Sequence, residues 1–353
     1  MMQKEFDNER CLPSLNVLGW SLLLSTVSLL GGQEDRRLDI YWIDVVGGAA
    51  TLIVTPAGEA TLIDTGMPRD RDVNRIEACV REVAGLERID NVLISHYDLD
   101  HYGGAAKLSK RIPIVNLYDN GRFDGMRNDP GEAYFSLESE RKYVLDPGDI
   151  VPLQQAANSA RVKLRCVATR MEFVEPTISA LARKTDCNLV ELRDSDSSEN
   201  ANSMVLVLEF GQFQFYNATD LTWNLETQLV CPYNLIGEVD VYQTTHHGLD
   251  RSNHPIVIET IKPAVAIMNN GPTKGCQSEM FAALKAANSI ETIYQVHKNQ
   301  RADGVVNNTE LQFIANTKKG SSGNLIKLSV DPSGESYTVS IPATGHSKTF
   351  RTR

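Results

Sequence analysis

The sequence predicts an α/β protein, one domain in which two sheets are covered by helices. Three observations carry this expectation. Strands alternate with helical stretches in the first half. Strands, then β-α units, then strands return in the second half. No internal repeat or linker composition interrupts the 353 residues. Apolar residues make up 42% and charged residues 23%, a balance that excludes disorder, collagen and coiled coil. Lys and Arg total 35 against 45 Asp and Glu, for a net charge of −10. Such a surface repels phosphate backbones at long range and gives no signal for a nucleic-acid coat, yet it permits a local cationic or metal-bearing cleft.

The elements follow in order. Residues 15–30 (LNVLGWSLLLSTVSLL) form a 16-residue apolar stretch, shorter than the roughly 20 residues of a spanning helix. That length suits a secretory signal, although Lys4 and Arg10 are offset by Glu5, Asp7 and Glu9. Residues 1–33 are therefore expected to be a signal peptide or N-terminal anchor, with a buried or interfacial helix as the alternative. Residues 37–353 are expected to be the folded part. Export would place the protein in a periplasmic or extracellular setting or at a membrane; otherwise it is cytoplasmic. Export would also permit disulfides. Cys166 and Cys187 could then pair, the alternative being that all six cysteines are thiols. No C-x-x-C occurs, so a cysteine zinc site is not expected.

Leu38 to Val46 is β-rich, and Ala50 to Thr55 with Ala60 to Asp64 reads as a hairpin around Pro56-Ala57-Gly58. Val73, Ile76, Val80 and Val83 mark one face of a helix over Arg69 to Leu86. Strands are expected at Asn91 to Ser95, Ile112 to Tyr118, Tyr143 to Leu145 and Val162 to Val167. The polar run 194–202 reads as a surface loop. A second hairpin pairs Ser203 to Phe210 with Phe213 to Asn217. A helix near Leu221 to Leu229, a strand at Val239 to Thr244 and a β-α pair (Val265 to Met268, Glu279 to Ala287) follow. A last hairpin joins Leu325 to Val330 and Tyr337 to Ile341.

The strongest chemical signal is His96-Tyr97-Asp98-Leu99-Asp100-His101, directly after a strand and before Gly103-Gly104. Four potential ligands crowd six residues, and a divalent cation neutralises the repulsion between them. The bland alternative is a solvated polar turn. Asp220 ends the mostly apolar strand FQFYNATD, and His246-His247-Gly248 ends DVYQTT. Each could be a satisfied polar residue or a helix cap. Three such strand ends in one chain place ligand-type residues where rigid scaffolds display functional groups.

With these motifs the sequence resembles the metallo-β-lactamase superfamily. Asp64 in LIDTG matches the family's upstream structural Asp. His96, Asp98, Asp100 and His101 match its H-x-H-x-D-H motif, with Asp98 in place of the middle His. Asp220 matches the bridging carboxylate, and His246-His247-Gly248 the last motif. The Asp-for-His change and the His-His-Gly ending are similar to the branch containing the metallo-β-lactamase-like domain of bacterial competence (DNA-uptake) proteins. The resemblance covers Leu38 to the C-terminus and implies a four-layer αββα sandwich with the metals at one edge of the sheets.

It also implies ligands and chemistry. One site would use Asp100, His101, Asp220 and His246, taken as the ligand of its pair because it lies nearer the strand end. The other would have His96, Asp98 and Asp220. The family usually has a further His between the first motif and the bridging Asp, and this chain has none between His101 and Asp220. Asp119, Asn202 or water could fill that place. The ions would be zinc, one or two, with manganese as the alternative. Asp100 and His247 would act in catalysis, His247 by orienting substrate or donating a proton. Asn202 and Lys274 would bind substrate. Metal-activated hydroxide would hydrolyse an ester-like bond. A small-molecule or phosphodiester substrate fits the branch, and a lactone, thioester or β-lactam fits the superfamily. The alternative is a non-catalytic metal- or substrate-binding protein on the same fold. His254, His297 and His346 are isolated, and hydrogen-bonded or surface roles are expected of them.

Overall fold

The computed structural model describes residues 35–188, 190–318 and 323–353. The apolar segment 15–30 and Cys11 lie outside the described residues. Two mixed sheets stack face to face. The first runs, edge to edge, through His346–Arg351, Ser336–Ile341, Ile326–Val330, Leu38–Trp42, Thr51–Val54, Ala60–Ile63, Ile89–Leu93, Ile114–Asp119 and Arg141–Val144. The second runs through Ile314–Asn316, Thr292–His297, Val265–Met268, Val241–Gln243, Phe213–Asn217, Val205–Phe210, Val162–Thr169 and Ile150–Val151. Antiparallel hairpins lead each sheet into a parallel half: Ala60–Ile63 to Arg141–Val144 in the first, Phe213–Asn217 to Ile314–Asn316 in the second.

Strand periodicity explains the layers. Ile40, Trp42, Ile53, Ile63 and Leu93 point between the sheets, against Leu164, Leu206, Phe215, Val241, Ile267 and Tyr294. Their neighbours Tyr41, Leu52, Leu62 and Val92 point outward onto Val73, Ile76, Val80 and Leu108 of the first helical layer. On the far side Val207, Tyr216, Tyr242 and Ala266 receive Leu225, Val257, Ile258, Ile261, Met280 and Leu284. Each fully buried Leu, Ile, Val or Phe contributes roughly 1.5–3 kcal/mol. The result is the αββα sandwich of the metallo-β-lactamase fold.

The structure differs from sequence reading in several places. The helix expected through Leu86 is α-helical over Asp70–Ala78 and then widens into a π-helical turn, Cys79–Val83, closed by Ala84 N–H on Cys79 O at 2.9 Å. This keeps Cys79 and Val80 buried. The polar run 194–202 ends inside the protein: Glu199, Asn200 and Asn202 are buried, because backbone amides satisfy the Glu199 carboxylate. Cys187 pairs with Cys231, and the Cys166–Cys187 bond does not form. Cys166 lies on a central strand with its thiol in the inter-sheet core, out of reach of a loop cysteine. Helix Pro255–Ile261 and strands Ile314–Asn316 and His346–Arg351 have no counterpart in the sequence reading. The last of these alternates polar residues along an edge, where only Phe350 is buried.

Candidate metal centre

The site forms where strands of both sheets end. Turns after Ala60–Ile63 and Ile89–Leu93 bring Asp64 and His96–His101. Turns after Phe213–Asn217 and Val241–Gln243 bring Asp220 and His246–His247. The crevice at strand carboxyl ends is the usual ligand position of open α/β sheets.

Several of these turns use left-handed backbone. Asp64 has φ 62°, Thr219 φ 50°, and His246 and His247 both φ 55°. A non-glycine residue in this region is disfavoured and is held by its surroundings. His246 N–H donates to Thr219 O at 2.7 Å, which ties the two strained turns together. Gly275 packs so close that a Cβ there would lie 1.9 Å from His247 O.

The imidazoles are oriented by bonds to their Nδ1 atoms. Asp64, fully buried, accepts Ser95 N–H at 2.9 Å, Ser95 Oγ–H at 2.8 Å and His101 Nδ1–H at 2.8 Å. Ser95 Oγ also lies 3.0 Å from His96 Nδ1. His247 Nδ1 donates to Asn269 O at 3.3 Å, and His246 Nδ1 lies 3.4 Å from Ser252 Oγ. With Nδ1 engaged, each ring presents Nε2 inward. His101, His247 and His246 place Nε2 at 3.1, 3.2 and 3.5 Å from Asp220 Oδ2. His247 Nε2 also stands 3.3 Å from Asp100 Oδ2, and His96 Nε2 stands 3.6 Å from Asp98 Oδ2. Two sets of ligand atoms each lie within 4.8 Å of one another: His96, His101 and Asp220, and Asp100, His101 and His247.

The electrostatics follow from this crowding. Burial pushes the Asp220 carboxyl up, and the fields of His101, His247 and His246 outweigh it and hold the group well below the usual range. Burial likewise raises Asp100, and His101, His247 and Lys274 more than reverse it. Burial would lower His101, yet Asp220, Asp64 and Asp100 raise it well above an ordinary histidine. His246 is pushed down to about 4, chiefly by burial. The Nε2 atoms of His96 and His247 are buried without a hydrogen-bond partner. Orphaned ring nitrogens facing carboxylates are costly unless a cation takes their lone pairs. The donor set therefore fits a divalent ion: nitrogen and oxygen ligands, each ring oriented from behind.

The other expected residues are placed as follows. His247 reaches both Asp100 and Asp220, whereas His246 approaches Asp220 alone, reversing the emphasis read from the sequence. Lys274 Nζ lies 2.5 Å from Asp100 Oδ2 at the mouth of the site. Asn202 is buried, and its amide donates to Glu199 and to Gly125 O, both at 3.1 Å. Asp119 is absent from both ligand sets and accepts Tyr134 O–H at 2.8 Å and Gly121 N–H at 2.8 Å. His254 accepts Ile256 N–H, His297 pairs with buried Asp44 at 2.6 Å, and His346 meets Tyr294 Oη. Sequence reasoning missed Ser95 as the link between Asp64 and His96. Its position between the strand end and the motif was the available signal.

Residues 43–164 match the family profile described as the metallo-beta-lactamase superfamily. That match spans about a third of the chain and shows a likeness to the superfamily. Two curated relatives match further along the chain. "Recombination protein 2" of Haemophilus influenzae is 26% identical over 281 residues, 75% of this chain and 28% of that protein. "Competence protein ComA" of Neisseria gonorrhoeae is 23% identical over 245 residues, 67% of this chain and 28% of that protein. The chain thus spans little more than a quarter of the length of these relatives. Among solved structures, the CmlA beta-hydroxylase E377D mutant overlaps 74% of this chain and 52% of its own, at TM-score 0.44 and 15% identity. MEM-A1, a subclass B3 metallo-beta-lactamase from a soil metagenome library, overlaps 76% and 77%, at TM-score 0.33 and 14% identity.

Proposed function

We propose that this chain is a metallo-β-lactamase-like, metal-dependent hydrolase of phosphodiester bonds. The observation that carries the reading is the convergence of oriented imidazoles and carboxylates on Asp220, with two buried ring nitrogens left unpartnered. Asp100, His101, His247 and Asp220 would hold one divalent ion, and His96, Asp98 and Asp220 a second; zinc or manganese suits these donors. Such ions supply a water that ionises near neutral pH and positive charge opposite the attacked centre. The chain's own residues do the rest. Asp64 and Ser95 fix the tautomers of His101 and His96. Lys274 offers an ammonium to an anionic substrate oxygen. His246, braced by Ser252, would orient the substrate. The names of the two relatives, a recombination and a competence protein, favour a phosphodiester over a lactone, thioester or β-lactam. The Cys187–Cys231 bond supports an exported location, since oxidising compartments sustain disulfides.

Elemental analysis of the purified protein with bis(p-nitrophenyl) phosphate turnover tests the reading. Stoichiometric metal and turnover, both lost in Asp220→Ala, are expected. Full metal occupancy in Asp220→Ala would refute the bridging role. The absence of any histidine between His101 and Asp220 favours a second reading, a non-catalytic metal-binding protein. Stoichiometric metal with no turnover on a broad ester panel would select it.

A further inference from the structure

Asp98 serves the half of the site from which the superfamily's further histidine is missing. Its Oδ2 faces His96 Nε2 at 3.6 Å. Its Oδ1 accepts a hydrogen bond from Asn128 Nδ2 at 2.5 Å. Asn128 belongs to residues 121–131, a segment without regular structure, so something else must fix its position. That something is Glu199, only 1% exposed. Its Oε2 accepts the backbone N–H groups of Arg127 at 2.7 Å and Asn128 at 3.3 Å, and the Asn202 amide at 3.1 Å. Its Oε1 accepts Tyr97 N–H at 3.4 Å. Four N–H donors satisfy a buried carboxylate that would otherwise be strongly unfavourable. Tyr97 lies between His96 and Asp98. One carboxylate therefore grips both the metal motif and the loop that carries Asn128.

We propose that Asn128, held by Glu199, is the positioning residue for Asp98. It fixes one carboxylate oxygen so that the other stays beside His96, which replaces by a hydrogen bond the rigidity that a further protein ligand would bring. The inference rests on the metal reading above and names how its weaker half is built. It also gives the buried polar stretch Glu199–Asn202 a purpose that its composition does not suggest.

The test is calorimetric titration of the metal-free chain with Mn2+ and, separately, Zn2+, with melting temperature read alongside. Two binding steps are expected for the wild type. Asn128→Ala should weaken one step roughly 10- to 100-fold, as outer-sphere partners of metal ligands do, and leave the other within about threefold. Its metal-free melting temperature should not change, because the Asn128 side chain is exposed. Asn128→Asp should weaken the same step further, and Asn128→Gln, which keeps an amide donor, should recover part of it. Glu199→Gln, which turns an acceptor into a donor facing amides, should affect the same step. Wild-type affinities in Asn128→Ala overturn the inference, as does an equal loss at both steps. A wild type that binds no divalent ion overturns the metal reading itself, a result distinct from either.

Discussion

Asp64 illustrates how a residue behind the candidate ligands orients them. Its carboxylate accepts hydrogen bonds from Ser95 Oγ–H and from His101 Nδ1–H, and the second bond turns His101 Nε2 toward Asp220. Asp64→Asn keeps the shape but puts an amide donor against a donor. Metal affinity is expected to fall roughly 10- to 100-fold, measured by titration of the metal-free protein, with little change in the spectrum of the folded state. Affinity within threefold of wild type would mean that the tautomer is set elsewhere. The motif H-x-D-x-D-H made Asp98, Asp100 and His101 legible as ligand types. Asn128 and Glu199 were not legible, because their partners lie 30 and 72 residues away in sequence.

At the scale of elements, turns and short helices hold the site. Gly275 and Gly131 have nearly the same φ, 77° and 79°, but only Gly275 is packed against backbone; a Cβ added at Gly131 would meet nothing within 4 Å. Gly131→Ala should therefore cost about 1–3 kcal/mol, the strain of a positive φ alone. Gly275→Ala adds a clash with the His247 carbonyl and should cost about 1–3 kcal/mol more. Chemical denaturation of both variants checks the ordering.

Helix Trp223–Gln228 buries Glu226 completely. Its carboxyl is pushed up to about 7 by burial, against the His254 amide and Thr245 that favour ionisation. A carboxyl with a raised folded pKa retains its proton in the folded state while the unfolded chain releases it. Stability from this group is full below about pH 4.5, falls as pH rises, and is lost by about 3 kcal/mol above pH 7. Denaturation at pH 5 and pH 8 should show Glu226→Gln losing less stability than the wild type across that interval. An identical loss in both proteins would assign the slope to another group.

At the scale of the whole molecule, the two sheets are joined by Trp42. Its ring packs edge-on against Phe215 at 5.7 Å, and its Nε1–H donates to Gln243 Oε1 at 2.7 Å. Trp42→Ala should cost about 3–5 kcal/mol. Trp42→Phe should cost less, since Thr51 Oγ–H still serves Gln243 Oε1 at 2.9 Å. The Cys187–Cys231 bond spans 44 residues, and loop entropy assigns it about 4 kcal/mol. Cys231→Ser should lower the denaturation midpoint under oxidising conditions and match the wild type once both are reduced.

Periodicity by itself determined the two sheets, their hairpins and the amphipathic helix over Val73, Ile76 and Val80, because burial on one face leaves a regular mark on neighbouring residues. Ligand chemistry by itself marked the strand ends at His96–His101, Asp220 and His246–His247. Tertiary structure alone decided that His247 reaches both Asp100 and Asp220, that Cys187 joins Cys231, and that Glu199 is an interior anchor. Those outcomes depend on which distant segments meet at a crevice, and a contact between residues far apart along the chain leaves no pattern in either segment.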